Sequence, residues 1–317
     1  MKKTILASAI LLVAGAANAA EVYNNEGATV TLGGSFRGHA IIEKSDDVRF
    51  EDAGSRFDLK AAKELDDGLK VIGTAEIKYT DLEDADEKVT RDASLYLNKA
   101  FVGLVHDVYG TATIGKQYGL NDDLVLNDFS YLSGNYSNEN NDALGSDATE
   151  QLKYVNSFSG AMVVVSLMDE DTYAIGGTYE VAGLTLGATY NIANDRPATG
   201  TTSPLADNSS LLLGAQYSID ALTVGASYVA SEINNADTSS YGVGAKYTLG
   251  QAGLYAMYDI YDGDLKSDEK AEMVLGADYE LAEGVIAYAE FVSTDLEVET
   301  VKKTDNNVMY IGGRFYF

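Results

Sequence analysis

Apolar and polar residues alternate along most of this chain. Leu184, Leu186, Ala188, Tyr190 and Ile192 alternate with Thr185, Gly187, Thr189 and Asn191, the period of two that marks a β-strand with one apolar face. Residues 222–230 do the same. In residues 241–248, Tyr241, Val243, Ala245 and Tyr247 share a face while Lys246 sits among glycines on the other. The runs come in pairs: Tyr179, Tyr217, Tyr247 and Tyr279 each end one, a short turn follows, and Tyr190, Tyr228, Tyr258 and Tyr288 recur 11, 11, 11 and 9 residues later. The repeating unit is therefore a β-hairpin. Joins inside the units are short (181–183, 220–221, 250–253, 282–284), and those between units, such as 194–208 and 263–271, are longer and polar. Short turns at one end, long loops at the other and one apolar face throughout describe a transmembrane β-barrel. Tyrosines near strand ends suit the lipid–water interface, where the ring sits in lipid and the hydroxyl among headgroups.

Sixteen alternating runs begin near Val30, Arg56, Leu69, Ser94, Thr111, Gln151, Met162, Thr172, Leu184, Leu211, Leu222, Tyr241, Leu254, Met273, Val285 and Val308. The expected fold is thus all-β, a 16-stranded antiparallel transmembrane β-barrel. An even count lets the sheet close with both termini on one side, so that every backbone donor and acceptor in lipid has a partner. A barrel of this width keeps an aqueous lumen, whereas about eight strands would fill with side chains. A soluble propeller or sandwich would need its apolar face buried against protein; here the opposite face carries Gly, Thr, Asp, Lys and Glu almost throughout.

Composition adds an address and removes several chemistries. Lys2 and Lys3, an apolar run over 5–17 and Ala17-Asn18-Ala19 have the layout of a cleaved secretory signal peptide, residues 1–19. That leaves 20–317 as one exported domain. The formal charge of −27 becomes −29 once Lys2 and Lys3 are removed, which disfavours nucleic acid as a partner because its phosphates would be repelled. There is no cysteine for a disulfide or thiolate site, and both prolines, Pro197 and Pro204, fall in one loop, as a nearly all-sheet chain requires. No cofactor or metal site is expected: the acidic stretches 81–86 and 262–269 read as solvated loops without calcium-loop spacing.

The chain ends carry a family resemblance. Ala20-Glu21-Val22-Tyr23-Asn24-Asn25-Glu26-Gly27 and the final Met309-Tyr310-Ile311-Gly312-Gly313-Arg314-Phe315-Tyr316-Phe317 resemble the opening segment and last strand of the Gram-negative general diffusion porins. Residues 54–60, 66–70, 100–104 and 110–115 are similar to the second to fifth strands of that family. The resemblance implies an outer-membrane homotrimer among lipopolysaccharide and outer-membrane lipids. It also implies recognition of the last strand, through Phe315 and Phe317, by the outer-membrane assembly machinery. Each barrel would pass small hydrophilic solutes by passive diffusion and be narrowed by an inward-folded third loop.

Residues 119–149 form the longest stretch without alternation and are the candidate loop. They contain Asp122, Asp123, Asp128, Glu139, Asp142 and Asp147 but no Lys or Arg, and Asp122, Asp123, Asp128 and Asp142 are the expected constriction acids. Strand parity turns Arg37, Arg56, Lys60, Lys78 and Lys153 toward the lumen as the opposing basic wall; Arg56 also matches a family constriction arginine. The sequence departs from the family pattern at Asn98, which falls where the resemblance places another basic wall residue, and this weakens the field expected between loop acids and basic wall. Parity further places Asp58, Glu76, Asp259, Asp278 and Glu290 inside, so the pore is expected to prefer cations mildly. His39 is expected in the lumen and His106 in a turn beside Asp107, far apart, which disfavours a barrel-embedded hydrolase. A substrate-specific channel would line its lumen with aromatic rings, and pore-facing Tyr255 and Tyr316 are few and scattered. Outward Gly34, Gly38 and Gly73 would permit close contact between barrels.

Overall fold

The computed structural model describes residues 19–43, 47–81, 93–124, 126–131, 149–196, 206–233, 236–263, 269–298 and 301–317. Its strands are β1 (Ala20–Asn25), β2 (Ala28–Glu43), β3 (Arg49–Asp52), β4 (Arg56–Glu64), β5 (Leu69–Asp81), β6 (Ala93–His106), β7 (Gly110–Gln117), β8 (Thr149–Phe158) and β9 (Ala161–Leu167). They continue as β10 (Thr172–Val181), β11 (Leu184–Arg196), β12 (Ala206–Ile219), β13 (Leu222–Ile233), β14 (Ala236–Leu249), β15 (Ala252–Gly263), β16 (Glu269–Ala282), β17 (Val285–Val298) and β18 (Val301–Tyr316). A short helix, α1 (Leu120–Leu124), opens the loop after β7.

All pairings are antiparallel, and β18 returns to pair with β2, closing the ring. Eighteen strand segments make sixteen staves because two staves are built from two pieces each. β1 pairs with residues 28–32 of β2 and β18 with residues 35–43 of the same edge. On the opposite edge, β4 and then β3 cover β2 in succession. Each of the sixteen alternating runs corresponds to one stave. Several strands extend further than alternation indicates: β14 starts at Ala236 and β18 at Val301, in stretches whose sequence is mostly polar and carries no period of two.

Most hairpin turns at one end are two residues long. Ser159 and Gly160, and Ala182 and Gly183, all take positive φ, the conformation whose twist matches that of the flanking strands. At Gly183 a side chain would also strike the Ser218 carbonyl of the next strand, 2.6 Å from an ideal Cβ. The outer surface is apolar, with Val243 56% and Leu254 60% exposed, as a lipid-facing surface must be. Tyr179, Tyr190, Tyr217, Tyr247, Tyr258 and Tyr279 stand on it. Tyr288 does not: it is buried inside, because the register shifts between Glu280 and Ala282 before β17.

The closing seam is packed as well as hydrogen-bonded. Gly34 and Phe317 exchange both backbone bonds, at 2.9 and 3.1 Å. The Phe317 ring stacks on Phe36 at 5.3 Å and meets Phe57 and Phe315 at 6.0 and 5.9 Å. Gly34, expected as an open outward glycine, is instead buried under that ring, with an ideal Cβ 3.0 Å from Phe317 Cζ and in conflict with the Arg56 carbonyl. Gly34→Val should therefore hinder closure. Refolded protein should show a smaller fraction with the fast, heat-modifiable gel mobility of a closed barrel, and an unchanged fraction would contradict this account of the seam.

Candidate functional site

The segment after β7 folds into the barrel and runs along the inner wall. Its root is tied down first: Gln151 Nε2 donates to the carbonyls of Gln117 and Tyr118 at 2.7 and 3.2 Å, and Lys153 Nζ donates to the Tyr118 carbonyl at 3.3 Å. Leu120 then packs on Val164 and Ala174, and Leu124 on Leu212 and Val229. Asn121 Oδ1 accepts from Thr189 Oγ1 and, at 3.0 Å, from Asn191 Nδ2. Gln216 Nε2 donates to the Leu126 carbonyl at 3.0 Å. Asn127 donates to Asp259 Oδ1 at 3.1 Å and accepts from Ser227 Oγ at 2.5 Å. Phe129 N–H reaches Met257 Sδ at 3.2 Å.

The described part ends at Tyr131, whose peptide is held from both sides. Its N–H donates to Glu290 Oε1 at 2.5 Å, and its carbonyl accepts from Arg314 Nη2. Its ring stacks on Tyr288 at 4.8 Å and 8°. Burial, reinforced by the nearby Asp278 carboxylate, pushes the Tyr131 hydroxyl well above its ordinary pKa. From Tyr118 to Tyr131 the loop thus sweeps past the inner faces of β8 to β18.

Glycines make this seat. An ideal Cβ at Gly225 would overlap the Leu126 carbonyl, and one at Gly244 the Asn127 carbonyl; at Gly214 it would lie 3.2 Å from the Leu124 carbonyl. Lumen-facing glycines that look wet in the sequence are therefore dry contacts with the loop backbone. Asp259 and Glu290, expected to charge the open pore, are fully buried beneath it; Tyr255 Oη donates to Glu290 Oε1 at 2.8 Å.

The wall that this loop segment leaves uncovered is formed by β2, β4, β5 and β6, and it is basic. Arg56 and Lys78 are cross-strand partners, and Arg56 also stands opposite Ser35, whose hydroxyl accepts from Arg37 Nε at 2.8 Å. Lys60 is inward on β4, opposite Thr31 and Thr74 and apart from that group. Lys153 lies under the loop root rather than on the open wall. Asp128 is on the loop, where its Oδ1 accepts from Ser130 N–H at 2.8 Å and Ser130 Oγ at 2.7 Å. Asp122 and Asp123 fall on α1, their side chains outside the described residues, as are Asp142, Glu139, Asp147 and residues 1–18.

The basic residue missing at Asn98 is supplied one position later. The register of β6 against β5 shifts between Glu76 and Ile77, so Asn98 and Lys99 both reach the same carboxylate. Buried Glu76 accepts from Asn98 Nδ2 and forms ion pairs with Lys99 at 3.3 Å and Arg56 at 3.7 Å. Tyr118 completes the group: Lys78 Nζ and Asn98 Nδ2 donate to its hydroxyl at 2.7 and 2.9 Å, and Lys99 Nζ stands 4.7 Å from its ring centroid. Lys99, Tyr118 and Arg314 were not among the expected wall residues. A bulge shifts parity without any mark in the sequence, whereas Arg314 was within reach of parity as an inward residue between Gly313 and outward Phe315. His39 lies on the lumen side near Tyr310 and 4.0 Å from Glu51, while His106 Nδ1 accepts from the N–H groups of Val108 and Tyr109 and caps its turn.

A family model described as Gram-negative porin matches residues 6–298. A major outer membrane protein of Pasteurella multocida is 32% identical over 197 residues, covering 58% of this chain and 55% of that protein, so the chain matches little more than half of that relative's length. A monosaccharide porin of Halomonas is 28% identical across 94% of this chain and 96% of that protein. Among solved structures, OmpT of Vibrio cholerae has a TM-score of 0.73 at 22% identity, covering 94% of this chain and 100% of that one. An anion-selective porin from Comamonas acidovorans has a TM-score of 0.74 at 16% identity, covering 92% of this chain and 100% of that one.

Two independent changes should loosen the loop seat. Asn127→Ala removes buried hydrogen bonds to Asp259 and Ser227, a loss of about 1–3 kcal/mol, and Gly225→Ala drives a methyl group into the Leu126 carbonyl at a similar cost of ~1–3 kcal/mol. Both should speed amide exchange across residues 120–131 while strand protection holds. Unchanged exchange in both variants would contradict the seat described above.

Proposed function

The chain belongs to the Gram-negative porin family and sits in the outer membrane, and from that premise we propose that it is a pore for passive diffusion of small hydrophilic solutes and ions. The observation that carries this reading is a lumen in which the loop, over its described residues, is seated on β8 to β18 and leaves a basic wall on β2 to β6. In this reading Arg37, Arg56 and Lys78 face the passage, joined by Lys99, with Lys60 further along β4 and Lys153 fixing the loop root. Asp122, Asp123, Asp128 and Asp142 supply the acidic side. Charges of opposite sign across a narrow aqueous passage orient dipolar solutes and exclude by size more than by identity.

Ion preference follows the sum of charges. An exported chain of formal charge −29, the −27 of the full sequence less Lys2 and Lys3, draws cations toward its mouths, and the basic wall, partly neutralised by Glu76, moderates this. The net preference is mild and cationic. Three copies assemble as a homotrimer among lipopolysaccharide and outer-membrane lipids, after export directed by residues 1–19. The last strand, ending in Phe315 and Phe317, is the segment read by the assembly machinery. Diffusion rather than catalysis is favoured because neither histidine is poised as a base: His106 is engaged with its own turn, and His39 lies against the Tyr310 ring.

A sugar-specific channel is the second reading, favoured by the gathering of Tyr131, Tyr255 and Tyr288 and by the name of the Halomonas relative. Those rings pack against one another and anchor the loop, which leaves less of their surface for a sugar. Vesicles containing the refolded protein should swell in isosmotic pentose or hexose at rates ordered by size alone. Swelling confined to one sugar would favour the second reading, and a folded protein giving none would overturn both. Under a salt gradient in a planar bilayer the reversal potential should carry the sign of mild cation preference; anion preference would contradict the charge assignment.

A further inference from the structure

At the closing seam, Arg37 of β2 and Arg314 of β18 are direct cross-strand partners, both turned into the lumen. Like charges in that relation repel. Several other lumen cations have a carboxylate: Arg56 and Lys99 pair with Glu76, and Lys246 with Asp278 at 2.6 Å. Among the described residues neither Arg37 nor Arg314 forms an ion pair.

Their partners are neutral instead. Arg37 Nε donates to Ser35 Oγ at 2.8 Å, and its guanidinium lies 5.7 Å from the Tyr316 ring centroid. Arg314 Nη1 donates to Tyr316 Oη at 3.3 Å, its Nη2 to the Tyr131 carbonyl, and its guanidinium stands 4.7 Å from the Tyr131 ring. Tyr316 thus bridges two half-buried guanidinium groups, each keeping N–H donors beyond those its neighbours accept. Planar guanidinium donors match an oxyanion in pairs, and an arriving oxyanion would relieve the repulsion that the sheet imposes.

We propose that Arg37, Arg314 and Tyr316 form a subsite in the lumen for the oxyanion of a passing solute, a carboxylate or phosphate group. The subsite rests on the pore reading above, and it differs from the Arg56–Glu76–Lys99 group, where a carboxylate already offsets part of the positive charge. It gives a mildly cation-preferring pore one place where an anionic solute pauses, with the body of the solute beside the Tyr131 and Tyr316 rings.

Single-channel conductance in potassium chloride tests this, with succinate and inorganic phosphate as probes and erythritol as the neutral control. At least one anion should reduce the conductance saturably, erythritol should not, and the anion that blocks at lower concentration identifies the preferred oxyanion. Arg37→Gln, which leaves the Arg314 contact with the loop intact, should raise the half-blocking concentration about tenfold or more, and Arg37→Lys, which keeps the charge but not the planar fork, should fall between Arg37→Gln and the unaltered protein. No block of the unaltered protein, or the same half-blocking concentration in Arg37→Gln, overturns the subsite while conductance itself persists. Absence of potassium chloride conductance from folded barrels overturns the pore reading on which it rests.

Discussion

Every backbone N–H and C=O within lipid must find a partner inside the protein, and this structure depends on that constraint more than on any contact between side chains. A sheet with a loose edge does not satisfy it, so the chain has to bring β18 back to β2 across nearly its whole length. The seam where this happens is accordingly dense. Phe317 pairs with Gly34 through the backbone and covers it with a ring shared among Phe36, Phe57 and Phe315. The same seam sets Arg37 against Arg314 on the inside, so closure and lumen chemistry meet at one place.

Closure at sixteen staves leaves a lumen too wide for wall side chains to fill. The loop after β7 occupies part of that space with its own backbone. Its donors and acceptors are satisfied one after another by Asn191, Gln216, Ser227, Asp259, Glu290 and Arg314, while glycines on the wall permit the approach. Charges on the loop-covered wall serve to hold the loop. On β2 to β6, among the described residues, the wall has a basic excess, because Arg37, Arg56, Lys60, Lys78 and Lys99 outnumber Asp58 and Glu76.

The strands were legible because two solvents, lipid outside and water inside, impose a period of two on every stave. Alternation found each of the sixteen, and parity turned Arg37, Arg56, Lys60, Lys78 and Lys153 inward. Signals were lost where the two faces are alike, as in the polar outer extension of β18, and where a register shift breaks parity, as at Asn98 and Lys99 or before Tyr288. The loop's seat was not legible at all. Its hydrogen bonds to the wall beyond the root join residues from 68 to 183 positions apart, as in Thr189 with Asn121 and Arg314 with Tyr131, and no local pattern records them. The glycines of that seat were visible, but only the folded barrel distinguishes a glycine facing water from one facing a backbone.

The account's central claim is that the seated loop leaves an open, size-limited aqueous passage. Single-channel recording of the refolded protein, titrated with neutral polymers of increasing size, tests it most directly. Discrete stable openings, depressed by small polymers and restored sharply above one polymer size, are the predicted result. Folded barrels that give no openings, or openings that every polymer depresses equally, would contradict it.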